Sequence, residues 1–325
     1  MALWTDINPA ELTAFSRVAQ ESIDEGVLNA VLPNLTQDEV KFSWRVNQIL
    51  SEAAEFGEFD TEAPIGGGEK SEEKTMRLLP VSRKLRLSEY AQVTDLDRVR
   101  ALAEDKADQV VRYVTNRLNR ARGEVLVTGK LAIAENKVVQ NVDFGRKSTH
   151  TNAAPAALWS DGGADPIADL RKWADMIADE SGVAPDVLSG STRVYSALAA
   201  ALAGAGYVTT GAGVVSRSAV SEILASYGLP AFTVFDGRVG GQRIIADDKL
   251  VLAASGGVSG STVFAPTVES TDPRYNLAPS DRSGIIAGVY SEDDPPVKWV
   301  IGKAVALPVL SNPDTTLSAS VVTPD

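Results

Sequence analysis

The stretch TDLDRVRALAEDKADQVVRYVTNRLNRARGEVLVTG, residues 94–129, decides the fold. Leu96, Val99, Ala103, Ala107, Val110, Val114, Leu118 and Ala121 recur at spacings of three and four, which draws one apolar stripe along a helix. About 26 residues at about 1.5 Å each make a rod of about 39 Å, well beyond the ordinary globular helix. Thr94 and Asp97 have capping-box spacing, and Asp95 adds negative charge at the positive end of the dipole. Arg117, Arg120 and Arg122 crowd the opposite end, and Gly123 is the expected stop. Val125–Val127 and Leu131–Ala134 then read as strands, so the rod passes directly into a sheet. Such a rod is a structural spine.

The chain has 325 residues, 44% hydrophobic and 23% charged, enough for two modest cores with extended arms. Its net charge of −12 argues against a nucleic-acid groove, which needs clustered Lys and Arg to displace counterions. The absence of cysteine excludes disulfides, thiolate nucleophiles and thiolate metal sites. No run of about 18 apolar residues exists, and MALWTDINPAEL at the start has neither a basic segment nor an apolar core. The expectation is a chain kept in the cytosol until it assembles, with no membrane partner.

Asn8, Pro9 and Glu11 read as N-cap, first helical residue and capping partner of a short amphipathic helix ending at Gly26. Leu32-Pro33-Asn34 breaks the chain, and Val40, Phe42, Trp44 and Val46 alternate with polar residues as in a half-buried strand. Nothing in residues 1–51 closes a core. They read as an arm that buries Trp4, Leu12, Phe15 and Trp44 on another surface, with packing on its own chain as the alternative.

The charge pattern then splits. Glu52, Glu55, Glu58, Asp60 and Glu62 are purely acidic; glycines 66–68 follow; Lys74, Arg77, Arg83, Lys84 and Arg86 are purely basic. Pro80 keeps the basic half off any central strand. The pattern predicts a two-stranded excursion with a glycine tip, whose legs pair with each other or lie across a neighbouring copy. Exposed pairs of this kind set register and partner choice more than stability.

Val138–Phe144 continues the strands, and Asp165-Pro166 opens a second amphipathic helix ending at Gly182. A strand at Val187–Ser189, helices at Ser191–Ala203 and Ser216–Tyr227, and short strands at Ala231–Phe235, Arg243–Ala246 and Leu250–Ala253 make an α+β unit. Gly284–Tyr290, Lys298–Leu310 and Thr316–Val322 are longer strands expected to complete the sheet begun after the spine, with the α+β unit inserted.

Several stretches imitate chemistry. Gly123–Lys130 resembles a phosphate loop, but its first glycine is displaced by one residue and Leu131 stands where the Mg²⁺-binding hydroxyl belongs. Gly204, Gly206 and Gly211 lack dinucleotide-fingerprint spacing and follow a helix. His150 has no Ser and Asp partners in a triad pattern. An enzyme using the carboxylates around Asp161–Asp169 would need paired acids in a pocket, and helix capping explains them better. No catalytic, cofactor or metal residues are expected.

The chain resembles the major capsid proteins of tailed bacteriophages, in the branch related to the lambda capsid protein found in phages of actinobacteria. The resemblance covers nearly all of it. It is carried by MALWTDINPAEL at 1–12, FDTEAPIG at 59–66, LLPVSRKLRLSEY at 78–90, ARGEVLVTGK at 121–130, VDFGR at 142–146, STHT at 148–151, LWSD at 158–161, DPIADLR at 165–171, EDDPPVKW at 292–299 and ALPVL at 306–310. It implies an α+β Hong Kong 97-like fold with an N-terminal arm (1–51), an extended loop (52–90), a peripheral domain containing the spine (91–165 and 283–325) and an axial domain (166–282). It also implies hexamers and pentamers closing into an icosahedral head around double-stranded DNA bound without sequence specificity. Further partners would be scaffolding and portal proteins and a decoration protein. The assembly interfaces would be Glu55, Glu58, Asp60, Glu62, Arg77, Arg83, Lys84 and Arg86 in the loop and Trp4, Leu12, Phe15 and Trp44 in the arm. An encapsulin-like nanocompartment of the same fold is the alternative.

Overall fold

In a computed structural model, which describes residues 8–24, 26–45, 73–87, 90, 99–208, 215–293 and 296–324, the apolar stripe does form one long helix, Val99–Thr128. Leu96 and the Thr94–Asp97 cap lie outside the described residues. The helix does not stop at Gly123, and Val125–Val127 is its last turn instead of a strand. Packing explains the difference, because Val125 and Leu126 are fully buried with Leu32, Leu78, Phe144 and Val309. Gly123 serves a close approach: a Cβ there would stand 2.8 Å from the Ile244 carbonyl oxygen. The stop is Gly129, at φ +68°.

Ahead of the spine come helices α1 (Pro9–Ile23) and α2 (Val27–Val31) and strands β1 (Asn34–Thr36), β2 (Lys41–Arg45), β3 (Glu73–Arg77) and β4 (Pro80–Leu87). The spine is α3. After it come β5 (Lys130–Glu135), β6 (Val138–Asp143), α4 (Pro166–Ser181), β7 (Val187–Gly190), α5 (Thr192–Gly204), α6 (Arg217–Ser226) and β8 (Phe232–Val234). Strands β9 (Arg238–Val239), β10 (Gln242–Arg243), β11 (Lys249–Ala253), β12 (Gly260–Ala265), β13 (Ile286–Asp293), β14 (Pro296–Leu310) and β15 (Thr316–Ser320) follow. Asn8 and Asp165 accept a backbone N–H in the first turn of their helices as expected, Gly182 ends α4 at φ +73°, and Ser191 and Ser216, read in the sequence as first helical residues, also prove to be N-caps.

The spine lies across a five-stranded sheet built on β14. β13 pairs with its first half and β12 with its second, while β4 takes the opposite edge from Lys298 to Val305. β1 joins β12 in parallel. Gly302 in β14 lets Val110 of the spine approach closely, since a Cβ there would lie 2.9 Å from Val110 Cγ1. The expected strand assignment changes in three places. Among the described residues β5 and β6 pair only with each other, so β13 and β14 do not complete a sheet begun after the spine. Gly260–Ala265 belongs to the five-stranded sheet, whereas β15 joins β11, β7 and β8 in a second, four-stranded sheet. Small residues hide β12 in the sequence. The destination of β15 follows from Leu317 and Ala319, which pack among Trp159, Trp173, Ile177 and Leu188.

Candidate assembly interface

Arg83, Lys84 and Arg86 do not belong to a free loop. They lie on β4, paired in register with Gly302, Ile301 and Trp299. Pro80 sits at the strand's first position, where its missing N–H costs no ladder bond. The period of two separates the three cations: Lys84 and Arg86 share one face, and Arg83 is on the spine side. The Lys84 ammonium lies 4.2 Å from the Trp299 ring centre and 3.2 Å from the Tyr290 hydroxyl, while the Arg83 guanidinium lies 5.8 Å from the Tyr113 ring. Arg77 is exposed at the end of β3, opposite Lys41. Among the described residues the excursion is two-stranded at its base, where β3 pairs with β2, while β4 pairs with β14. Glu55, Glu58, Asp60 and Glu62 lie outside the described residues.

The arm packs on its own chain. Leu12 is buried with Leu87, Ala103, Val110 and Val300. Thr13 donates to the Ala287 carbonyl at 3.0 Å, and Arg17 donates to the carbonyls of Asp281 and Ile285 at 2.5 and 3.2 Å. Trp44 is 6% exposed, tilted on Phe144 at 5.9 Å and stacked on Phe42 at 6.0 Å. Their burial needs no second surface. Phe15 is 46% exposed, and Trp4 lies outside the described residues.

A groove of about 470 Å³ opens between the middle of the spine, the start of β4 and the β5–β6 hairpin. Its floor is apolar, with Val114, Leu118 and Ile133, and its rim carries Arg83, Arg117 and Arg120. Arg117 pairs with Glu135 at 3.1 Å. Tyr113 and Val138, both on the groove, are 49% and 40% exposed. The sequence missed this groove because its walls come from segments far apart in the chain.

The carboxylates near the start of α4 have structural partners. Asp165 accepts the Ile167 and Ala168 amides and the Tyr207 hydroxyl; Asp169 accepts the Trp159 indole N–H at 3.1 Å and the Ala156 amide at 3.0 Å. No helix among the described residues is long and apolar enough to cross a membrane.

A spine crossing a sheet, with a second α+β core inserted between its strands, makes an α+β fold of the Hong Kong 97 type. The capsid protein of a prophage from E. coli CFT073 superposes with a TM-score of 0.64 at 16% identity, over 97% of this chain and 99% of that one. Mycobacterium phage Bobi gives 0.51 at 15% identity over 92% and 90%, and the SrpI encapsulin of Synechococcus elongatus PCC 7942 gives 0.50 at 11% over 93% and 87%. At such identities these likenesses establish the fold alone. No curated protein sequence matches the chain. The family model described as phage major capsid protein E matches residues 69–321, and the chain belongs to that family. It is a structural subunit of the icosahedral phage head and not an enzyme, and the family match favours the phage head over the nanocompartment.

Proposed function

We propose that copies of this chain form hexamers and pentamers that close around double-stranded DNA, and that the acidic run of one copy docks on the spine groove of the next. The carrying observation is complementarity. Residues 52–62, EAAEFGEFDTE, set Phe56 and Phe59 among Glu55, Glu58 and Asp60, and the groove offers an apolar floor under an arginine rim. Charge at the rim selects partner and register, and buried aromatic area supplies affinity. Leu79 borders the groove, and β3 leads from there toward Glu73, so the hairpin carries the chain away from its own groove. Residues 1–51, 52–90, 91–165 with 283–325, and 166–282 would then act as arm, loop, peripheral domain and axial domain. β12 and β15 exchange places relative to those boundaries. A net charge of −12 suits a wall that encloses DNA without gripping it. Scaffolding and portal proteins would direct closure, and a decoration protein could add to the outer face.

The absence of cysteine makes the test clean. Phe59→Cys and Val138→Cys chains are mixed, assembled with the phage's scaffold and portal, and treated with a short bis-maleimide. Closed particles holding nuclease-protected DNA, with a crosslinked dimer that needs both variants, are the expected result. Particles without the crosslinked dimer overturn the docking. Soluble monomers alone, from the unsubstituted chain under the same conditions, overturn the shell arrangement.

A further inference from the structure

His150 is the only histidine in the chain, and it is fully buried. It sits where three segments meet: the turn Ser148–His150 after the β5–β6 hairpin, the C-terminal end of α4, and the turn Pro313–Thr315 that leads into β15. This is the joint between the spine-bearing core and the four-stranded-sheet core. The groups facing the imidazole are Glu180 from α4, Asp314 from the second turn, and Lys147 and Arg146 from its own segment. β15, which also packs on the turn, brings no titratable side chain. The Lys147 ammonium stands 2.6 Å from a Glu180 oxygen and 3.8 Å from an Asp314 oxygen, and the Lys147 amide donates to Asp314 at 3.1 Å. One polar atom each of His150, Glu180 and Asp314 lies within 4.8 Å of the others. The lysine already supplies the cation there.

With the imidazole neutral the cluster balances, two cations against two carboxylates. His150 Nδ1 lies 3.2 Å from the Thr149 hydroxyl and 3.7 Å from Glu180, and buried Nε2 has no hydrogen-bond partner among the described residues. A proton therefore makes three cations face two anions. It also leaves a charged N–H without an acceptor inside the protein, and it sets His150 and Lys147 competing for Glu180.

We propose that His150 is a proton-operated lock on the joint between the two cores: neutral, it lets Lys147 bridge α4 and the turn before β15, and protonated, it breaks that bridge and releases them. Burial, opposed by Glu180 and Asp314, pulls the imidazole pKa below its ordinary value. The sign follows directly. The unfolded chain takes up this proton near about pH 6.5, the folded chain resists it, and stability is lost as pH falls below about 6.5 toward the folded value.

A single histidine gives a single imidazole signal, so NMR of the unassembled full-length chain reads the site without any substitution. The expected midpoint lies below about 6.5, with amide exchange in residues 174–182 and 312–316 speeding up as that signal titrates, after correction for intrinsic rates. A midpoint at or above that value, or exchange that ignores the titration, overturns the proposal. In His150→Gln the thermal midpoint should lose its dependence on pH between 7.5 and 6 while wild type drops by a few degrees. Equal pH dependence in both chains also overturns it.

Discussion

Arg122 is 1% exposed and held entirely by side chains. Its guanidinium pairs with Asp24 at the end of α1 and donates to Thr262 Oγ1 at 2.7 Å, Asn34 Oδ1 at 2.6 Å and Asn119 Oδ1 at 2.8 Å. Asn34 in turn donates to Asp24, and Thr262 donates to the Leu32 carbonyl. One residue of the spine thereby fixes α1, β1 and β12 together. A buried network with every member partnered costs little to keep and much to break. Arg122→Met strands Asp24 without its cation and should cost about 3–5 kcal/mol of unfolding free energy, read by urea titration. Adding Asp24→Asn should restore part of that loss; an unrestored double variant would mean that packing, and not charge, is what Arg122 contributes. The sequence places Arg122 at a helix end as a dipole partner. Its true partners, up to 140 residues away, are set by tertiary structure and leave no local trace.

At the scale of elements, what repeats locally was legible and what depends on distant partners was not. The apolar stripe of the spine, the Asn8 and Asp165 caps and the β5–β6 strands all follow from spacing within a few residues. The helix end was misplaced because Gly123 carries the signal of a stop while performing another task, the approach of Ile244. The arm looked unpartnered because its partners, Ala287 and Val300, lie more than 200 residues downstream. Of the groove's rim, Arg83 was singled out in the sequence, whereas Arg117 and Arg120 read there only as charges at a helix end, and strand period sets Arg83 apart from Lys84 and Arg86. The spine itself invites a direct experiment. Val110 is fully buried against Gly302, so Val110→Pro breaks the rod where it crosses β14, costs about 3 kcal/mol or more, and should abolish particles in electron micrographs. Normal particles from that variant would show that the rod does not organise the shell.

Across the whole molecule the two cores are joined at the foot of the spine. Arg146, mostly buried, donates at 2.6 Å to the carbonyls of both Leu126 and Val127, which the ending helix leaves without intrahelical partners. Desolvation draws its pKa down to about 10 against the pull of Asp314. Ser318 of β15 donates to the same Val127 carbonyl at 2.7 Å, so the last strand of one core caps the helix of the other. Arg146→Gln should uncouple them, and calorimetry should then resolve two thermal transitions where wild type gives one. A single unshifted transition would show that the cores are bound elsewhere.

β14 has a consequence in time as well as in space. It is the strand to which β4, β12 and β13 all bind, and β15, close behind it, supplies Leu317 and Ala319 to the second core. Every one of those partners leaves the ribosome before β14 and β15 do. A nascent chain can form its spine early, yet it must hold both sheets open until nearly all of their strands have emerged. Synthesis itself therefore delays completion of the assembly surfaces, and an unfinished subunit has little with which to enter a growing shell.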